Sequence, residues 1–413
     1  MRRQEADVAV IGGGCAGMAA ALAAKEAGAE RIIVLERSAA LGGVLRQCIH
    51  NGFGIHRFKE DLTGVEYAAR FLTAMEREGI PFLTGNAVLS LTADRIVTAM
   101  NREGLLTVEA KAVVVATGCR ERPRGALLIP GSRPAGVITA GAAQRYLNLE
   151  GYLVGRRIVI LGSGDIGLIM ARQFVLEGAE VLAVVELQPY SGGLTRNIVQ
   201  CVEDFNIPLC YNTTVTEIQG EGRLTGVVLS AVGPDRRPLP GTERLIPCDT
   251  LVLSVGLIPE NELLYAAGAP MDSATGGAVV DDALQTGLAG VFACGNALHV
   301  HDLVDFVTDE SERAGRAAAR FAQGALPAKE TVSLSAGHGV RGLVPQRLGQ
   351  GGAGTVCLQF RPAARYTDCA VVVRAGGEVV KRQRQTVLTP GEMCKIEVER
   401  ASLQGDITVE VEV

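Results

Sequence analysis

The sequence predicts an α/β protein with two βαβ-based domains and a small C-terminal all-β domain, and three observations carry that prediction. First, residues 7–36 read as strand, glycine turn, helix, strand and a terminal Glu36. Second, residues 157–186 repeat the plan and end on Glu186. In both copies the first glycine of the turn and the final glutamate stand 24 positions apart, Gly12 to Glu36 and Gly162 to Glu186. Third, the texture changes from residue 331 to short alternating strands separated by turns such as Ala375-Gly376-Gly377 and Thr389-Pro390-Gly391.

The first copy is expected to use strand Asp7–Ile11, helix Met18–Ala27 and strand Arg31–Leu35. The second uses strand Arg157–Leu161, helix Leu168–Glu177 and strand Glu180–Val185. The runs Ala112–Gly118 and Thr250–Gly256 read as buried strands closing each unit, and Gly290–Asn296 as a further strand-to-turn segment before a helix over Glu310–Gln323. The expected domains are 1–145 with 275–328, then 146–274, then 331–413. The last contains strands at 355–360, 370–374, 395–399 and 407–413, which read as a small sandwich with no catalytic signature.

Composition narrows the function. The net charge is −5 and no Lys/Arg run is present, which argues against a nucleic-acid or anionic-membrane binder. The apolar stretch Val8–Ala24 is interrupted by Gly12, Gly13, Gly14 and Gly17, so a buried βα unit explains it better than a membrane span. The N-terminus lacks the pattern of a signal peptide, and a soluble, cytoplasmic protein is expected. None of the ten cysteines forms a Cys-x-x-Cys or Cys-x-x-x-x-Cys pair, so iron–sulfur, structural zinc and dithiol motifs are not supported. Structural disulfides are not expected either.

The glycine turns carry the chemistry. In Gly12-Gly13-Gly14-Cys15-Ala16-Gly17, Gly12 permits a tight turn, Gly14 lets backbone approach a pyrophosphate, and Gly17 permits close helix–strand packing. The phosphate would sit on the helix N-terminus, where free N–H groups and the dipole favour an anion. Glu36 would accept hydrogen bonds from a ribose. Gly162, Gly164 and Gly167 with Glu186 repeat the arrangement. An acidic side chain at that strand end suits the free 2′-hydroxyl of NAD(H) and disfavours the phosphate of NADP(H), although Arg196 lies ten residues on.

Both turns, Glu36 with Gly42-Gly43, Ala116-Thr117-Gly118, Val255–Asn261 and Thr286…Phe292-Ala293-Cys294-Gly295-Asn296 together resemble the FAD/NAD(P)-binding pyridine nucleotide-disulfide oxidoreductase-like family, over residues 7 to about 325. The resemblance implies a two-dinucleotide-binding flavoprotein with Rossmann-like domains. FAD would lie on the first unit and NAD(P) on the second, with hydride transfer between nicotinamide and flavin. It assigns Gly42, Gly43, Thr117, Gly118, Gly295 and Asn296 to the FAD cleft. Asn296 stands where the family usually has Asp, and the disulfide-reductase branch's cysteine pair is missing, only Cys48 being present. The tract Gly295–Asp305 and the tail around Pro390-Gly391-Glu392-Met393 resemble the flavoprotein subunits associated with anaerobic glycerol-3-phosphate and opine-type dehydrogenases.

These readings give an FAD-dependent NAD(P)H oxidoreductase exchanging electrons with a partner dehydrogenase subunit or small acceptor, and an oligomer is expected. The candidate reactive residues are Cys48, His50, Asn51, His299 and His301. Two alternatives stand beside it. One is a single-thiol peroxide, disulfide or oxygen reductase acting through Cys48, and the other an electron-bridging subunit with little activity of its own. His299 and His301 are expected on one face of an extended segment, as a proton relay, with Asp302 and Asp305 capping the next helix. No metal is expected, because four-ligand closure is not visible.

Overall fold

The structure is a computed structural model that describes residues 2–326, 331–349 and 354–413. It divides into two units: Met1–Arg46 with Asn51–Cys119 and Pro259–Val413, and Gln47–His50 with Arg120–Ile258. Residue 328, the expected end of the first domain's second segment, lies outside the described residues.

In the first unit, strand Arg2–Ile11 lies parallel to both Ile32–Leu35 and Gly104–Val115. Its last four positions, Val8 to Ile11, are buried on both faces, which is why the sequence runs apolar without alternation. The strand begins five residues earlier than the periodicity predicts, because Arg2–Ala6 pair with Leu106–Ala110 although they are polar. Strand Gly104–Val115 is shared between partners. Its first half pairs antiparallel with Ile96–Asn101, and Val113–Val115 pair parallel with Val291–Ala293. That parallel pairing brings the chain back beside the first glycine turn.

Helix Cys15–Glu26 is built largely of alanine, with eight of its residues buried. Helix Val304–Ala322 packs on it, and a Cβ at Gly315 would stand 2.1 Å from the Ala20 carbonyl oxygen. The absent side chain therefore sets the spacing of the two helices. This second helix starts six residues before the expected Glu310, so Glu310 lies in its second turn.

In the second unit five parallel strands run in the order Val137–Thr139, Thr250–Leu253, Arg157–Leu161, Glu180–Val185, Leu209–Cys210. Helix Asp165–Leu176 buries Leu168, Met170, Ala171 and Phe174. A three-stranded antiparallel sheet, Thr213–Gly220, Leu224–Ala231 and Arg244–Ile246, adds a second layer.

The C-terminal strands form two sheets, one of five strands and one of three. Val371, Val373 and Val409 of the larger share a core with Leu358, Phe360 and Ile396 of the smaller. Strand Glu378–Leu388 is not predicted by the sequence pattern. It pairs with Tyr366–Ala375 at the sheet edge, where charged side chains remain in water and the pattern looks like a loop. The sandwich is fastened to the preceding chain by ions. Arg400 pairs with Asp282, and Arg361 pairs with Asp302 at 2.5 Å.

Candidate functional site

The two glycine turns are built alike. Gly12 has φ +107°, and a Cβ there would stand 2.3 Å from the Ala116 carbonyl oxygen. A Cβ at Gly17 would stand 1.8 Å from the Gly12 carbonyl oxygen. Gly14 is different: its Cβ would meet only the Gly43 Cα, at 3.9 Å. The first two glycines close the turn, and the third leaves backbone open to a ligand. Helix Cys15–Glu26 has no side-chain cap and no acidic residue in its first turn, so its N–H groups remain available to an anion.

Glu36 is buried, and each carboxylate oxygen accepts one backbone N–H: Gly13 at 2.7 Å and Ser38 at 2.7 Å. Glu186 repeats this with Ser163 N at 3.0 Å and Gln188 N at 2.8 Å, and also accepts from the Ser163 hydroxyl at 2.6 Å. Both Glu36 oxygens and Glu186 Oε1 each keep a lone pair for a further donor, which suits ribose hydroxyls, while Glu186 Oε2 already accepts twice from Ser163. In the second turn, Cβ atoms at Gly162 and Gly167 would stand 2.0 Å from the Ser254 oxygen and 2.6 Å from the Gly162 oxygen, while Gly164 faces open space. The acidic residue at this helix start, Asp165, is occupied by Leu194 N at 2.8 Å and Asn197 Nδ2 at 2.6 Å.

Around the first turn the expected residues converge. Gly42 N donates to the Gly13 carbonyl at 2.8 Å, which sets Gly43 against Gly14. Gly295 packs on Ala16, and Asn296 Oδ1 accepts His301 N at 3.0 Å. Thr117 donates to the Glu260 carbonyl at 2.7 Å, and Gly118 accepts from Glu260 N at 2.9 Å. The neighbouring Asn261 is buried and donates to the carbonyls of Gly276 and Ala297, at 2.9 and 2.8 Å. Thr117 and Gly118 thus hold the backbone of Glu260, next to the Asn261 that ties the Gly295–Ala297 turn. A pyrophosphate-linked dinucleotide fits this cradle. Gly14 leaves the space, the helix start supplies donors, and Glu36 offers acceptors.

His299 and His301 are buried, but they lie on a turn and not on a strand, so strand alternation does not bring them together. Glu310 does. Its Oε2 is 2.7 Å from His299 Nε2 and 3.4 Å from His301 Nε2, and its Oε1 accepts Gly295 N at 2.8 Å. His301 Nδ1 donates to the His299 carbonyl at 3.0 Å. Burial pushes the His299 imidazole below its usual pKa, against the pull of Glu310. Burial acts to raise the Glu310 carboxyl, but the two histidines outweigh it and hold it well below the usual range. The carboxylate is the charged member of the group. Glu310 escapes sequence reading because it lies on the following helix, which the sequence pattern begins only there.

The two aspartates do not cap that helix. Its N-cap is Leu303, with no side-chain cap bond. Asp302 is taken by Arg361 and by Met393 N at 2.6 Å, both from the C-terminal strands. Asp305 accepts His56 N at 3.2 Å.

Cys48 and His50 belong to the second unit, whereas Asn51, His299 and His301 belong to the first. Cys48 is buried and its thiol lies 3.8 Å from Gln144 Oε1, on helix Ala140–Glu150. Gln47 and Asn148 fasten the same segment, Asn148 Nδ2 donating to the Gln47 carbonyl at 2.7 Å. Burial and the charge of Arg196 lower the His50 pKa. Asn51 is exposed and donates to the Asp61 carbonyl at 3.2 Å. All ten cysteines are free, and burial pushes the Cys15 and Cys294 thiols up to about 12, which keeps them protonated at neutral pH.

No helix among the described residues is long and apolar enough to cross a membrane. The chain is 28% identical over 318 residues to an opine oxidase subunit from Agrobacterium tumefaciens (strain Ach5), covering 70% of this chain and 61% of that one. It is 24% identical over 292 residues to thioredoxin reductase of Listeria monocytogenes, covering 70% of this chain and 85% of that one. The solved thioredoxin reductase of T. acidophilum superposes with a TM-score of 0.63 at 25% identity, over 78% of this chain and 99% of that one. The family model described as pyridine nucleotide-disulphide oxidoreductase matches residues 6–323. The chain belongs to the pyridine nucleotide-disulphide oxidoreductase family.

Proposed function

We propose that this protein transfers hydride between NAD(H) and FAD and exchanges the electrons with a partner dehydrogenase subunit or small acceptor. The observation that carries the reading is the pair of acid-anchored glycine turns, Glu36 on Gly13 and Ser38, Glu186 on Ser163 and Gln188. The flavin supplies two-electron chemistry at its ring, and the nicotinamide supplies or takes the hydride. The chain's own part is binding and orientation. Gly12, Gly14 and Gly17 with Glu36, Gly42, Gly43, Thr117, Gly118, Gly295 and Asn296 hold FAD. Gly162, Gly164, Gly167 and Glu186 hold the nicotinamide nucleotide.

NAD(H) is favoured over NADP(H) because Glu186 cannot swing away from a 2′-phosphate. Two backbone N–H groups fix its carboxylate, and a second anion beside it is repelled. A partner is favoured because the matched opine oxidase protein is itself one subunit of that oxidase. That relative is longer than the matched stretch, so its own activity is not carried over whole. A soluble, oligomeric protein in the cytoplasm completes the reading.

Anaerobic titration of the purified flavoprotein with NADH and with NADPH, followed at the flavin absorbance, tests it. Bleaching is expected with NADH at lower concentration than with NADPH. No bleaching with either nucleotide would remove the mechanism.

A further inference from the structure

We propose that His299, His301 and Glu310 form a buried site for a divalent first-row transition ion, with Zn²⁺ as its probe. The sequence pattern predicts no metal because it shows two histidines and no closing ligand. The fold supplies the third from the second turn of helix Val304–Ala322. One ring nitrogen of His299, one of His301 and a Glu310 oxygen all lie within 4.8 Å of one another.

Three features go beyond proximity. His301 Nε2 is buried and has no hydrogen-bond partner. The His299 carbonyl can only accept, so His301 Nδ1 carries a hydrogen, and Nε2, 3.4 Å from Glu310 Oε2, is the ring nitrogen placed to take an ion. An ion between that nitrogen and the carboxylate would bind both. Second, the far side of each of these two ligands is already fixed. His301 Nδ1 is held by the His299 carbonyl and Glu310 Oε1 by Gly295 N. Outer partners of this kind orient imidazole and carboxylate ligands in metal centres. Third, the Glu310 carboxylate is fully buried, and an ion would neutralise a charge that is costly to leave in that setting.

Two of the three ligand separations stand close to those an ion requires. Bonds of about 2.0–2.2 Å in tetrahedral geometry place ligand atoms roughly 3.3 Å apart. The His301 contact is already at 3.4 Å, and the 2.7 Å His299 contact opens as the ion displaces the hydrogen between the two groups. Two imidazoles and one carboxylate select zinc-like or ferrous-like ions over magnesium or calcium, which prefer all-oxygen sites. The ion would pin the Gly295 turn to the helix behind it.

The test uses the whole flavin-loaded protein. It is stripped with a chelator, loaded with Zn²⁺ or Co²⁺, and passed through a desalting column before elemental analysis. One retained ion per chain is expected, with tetrahedral visible bands for Co²⁺ and a raised unfolding temperature. His301→Gln and Glu310→Gln should each weaken binding by at least about 100-fold, more than the loss of an outer partner does, whereas His338→Gln should retain the ion. Failure of the folded wild-type protein to retain either ion overturns the proposal and leaves a proton-bridged His–Glu network. So does retention unchanged in both ligand variants. If those variants do not fold, the wild-type stoichiometry and Co²⁺ spectrum decide alone.

Discussion

Glu186→Gln separates two roles of one side chain, and both effects can be sized. Oε2 accepts Ser163 N at 3.0 Å and Oε1 accepts Gln188 N at 2.8 Å. An amide has one oxygen, so in either orientation one of these N–H groups faces an NH₂. Ser163 is fully buried, and the loss of one charge-assisted bond costs about 1.5–3 kcal/mol. Taken over a unit of this size, the unfolding temperature should fall by about 3–12 °C. Selectivity should move separately. A unit charge about 5 Å from a 2′-phosphate contributes about 0.8–3.3 kcal/mol of repulsion for effective dielectrics of 80 to 20. Removing it should raise the NADPH:NADH ratio of flavin-bleaching rates by roughly 4- to 270-fold. The assay is anaerobic stopped-flow at subsaturating nucleotide, with scanning fluorimetry alongside. A folded variant with an unchanged ratio would show that Glu186 does not face the 2′ position.

Three further outcomes are expected. Gly17→Ala places a methyl 1.8 Å from the Gly12 carbonyl oxygen and should yield protein without bound flavin, read from the visible-to-ultraviolet absorbance ratio; a fully flavin-loaded variant would contradict the turn geometry. Asp7 has its carboxyl lowered to about 2: burial acts to raise it, but Arg31 N at 2.9 Å, Lys111 at 3.0 Å and the Arg31 guanidinium outweigh that. A depressed folded value stabilises above the unfolded pKa near 4 and is lost as pH falls toward 2. Asp7→Asn should therefore cost about 1 kcal/mol at pH 7, after discount for solvent screening, and the gap should close in urea unfolding near pH 2; a pH-independent gap would refute the assignment. Cys48→Ser should leave both NADH bleaching and turnover intact, since the thiol is buried against Gln144; lost turnover with intact bleaching would move the electron exit to that thiol.

What the sequence makes legible is what short-range sterics dictates. The turns at Gly12 and Gly162 are readable because a side chain at either would collide with backbone of the adjacent strand. Strands buried on both faces, such as Arg157–Leu161, stand out as unbroken apolar runs. What cannot be read depends on partners far along the chain. Asp302 looks like a helix cap, yet its partner Arg361 lies 59 residues on. The edge strand Glu378–Leu388 carries charges on an exposed surface, so no apolar period marks it. Glu310 is invisible for a related reason, because its role depends on where the helix begins and on a turn that returns beside Ala16.

The two turns share one local device and differ in what braces it from outside, and that difference bears on how each nucleotide is held. The first turn's surroundings are tied by Asn261 to Ala297, by Glu310 to Gly295 and by Gly42 to Gly13. The second is tied mainly through Asp165 to Leu194 and Asn197, with Ser191 on the Ser163 carbonyl. The former contacts fix backbone on two sides of the cradle, the Gly295–Ala297 turn and Gly42, so little ordering remains to be done when a nucleotide binds, and a preorganised site holds its ligand longer. The latter all come from one stretch, Ser191 to Asn197, which braces the second turn from one side only. The first nucleotide should then co-purify and survive gel filtration, while the second dissociates within the column time. Asn261→Ala removes two buried donors from the first cradle alone. It should convert the resident flavin into one that is lost on the same column, and leave the NADH concentration for half-bleaching unchanged once free FAD is restored. Tight flavin retention in that variant would show that the glycine turn and Glu36 suffice, and that the outer braces serve only the fold.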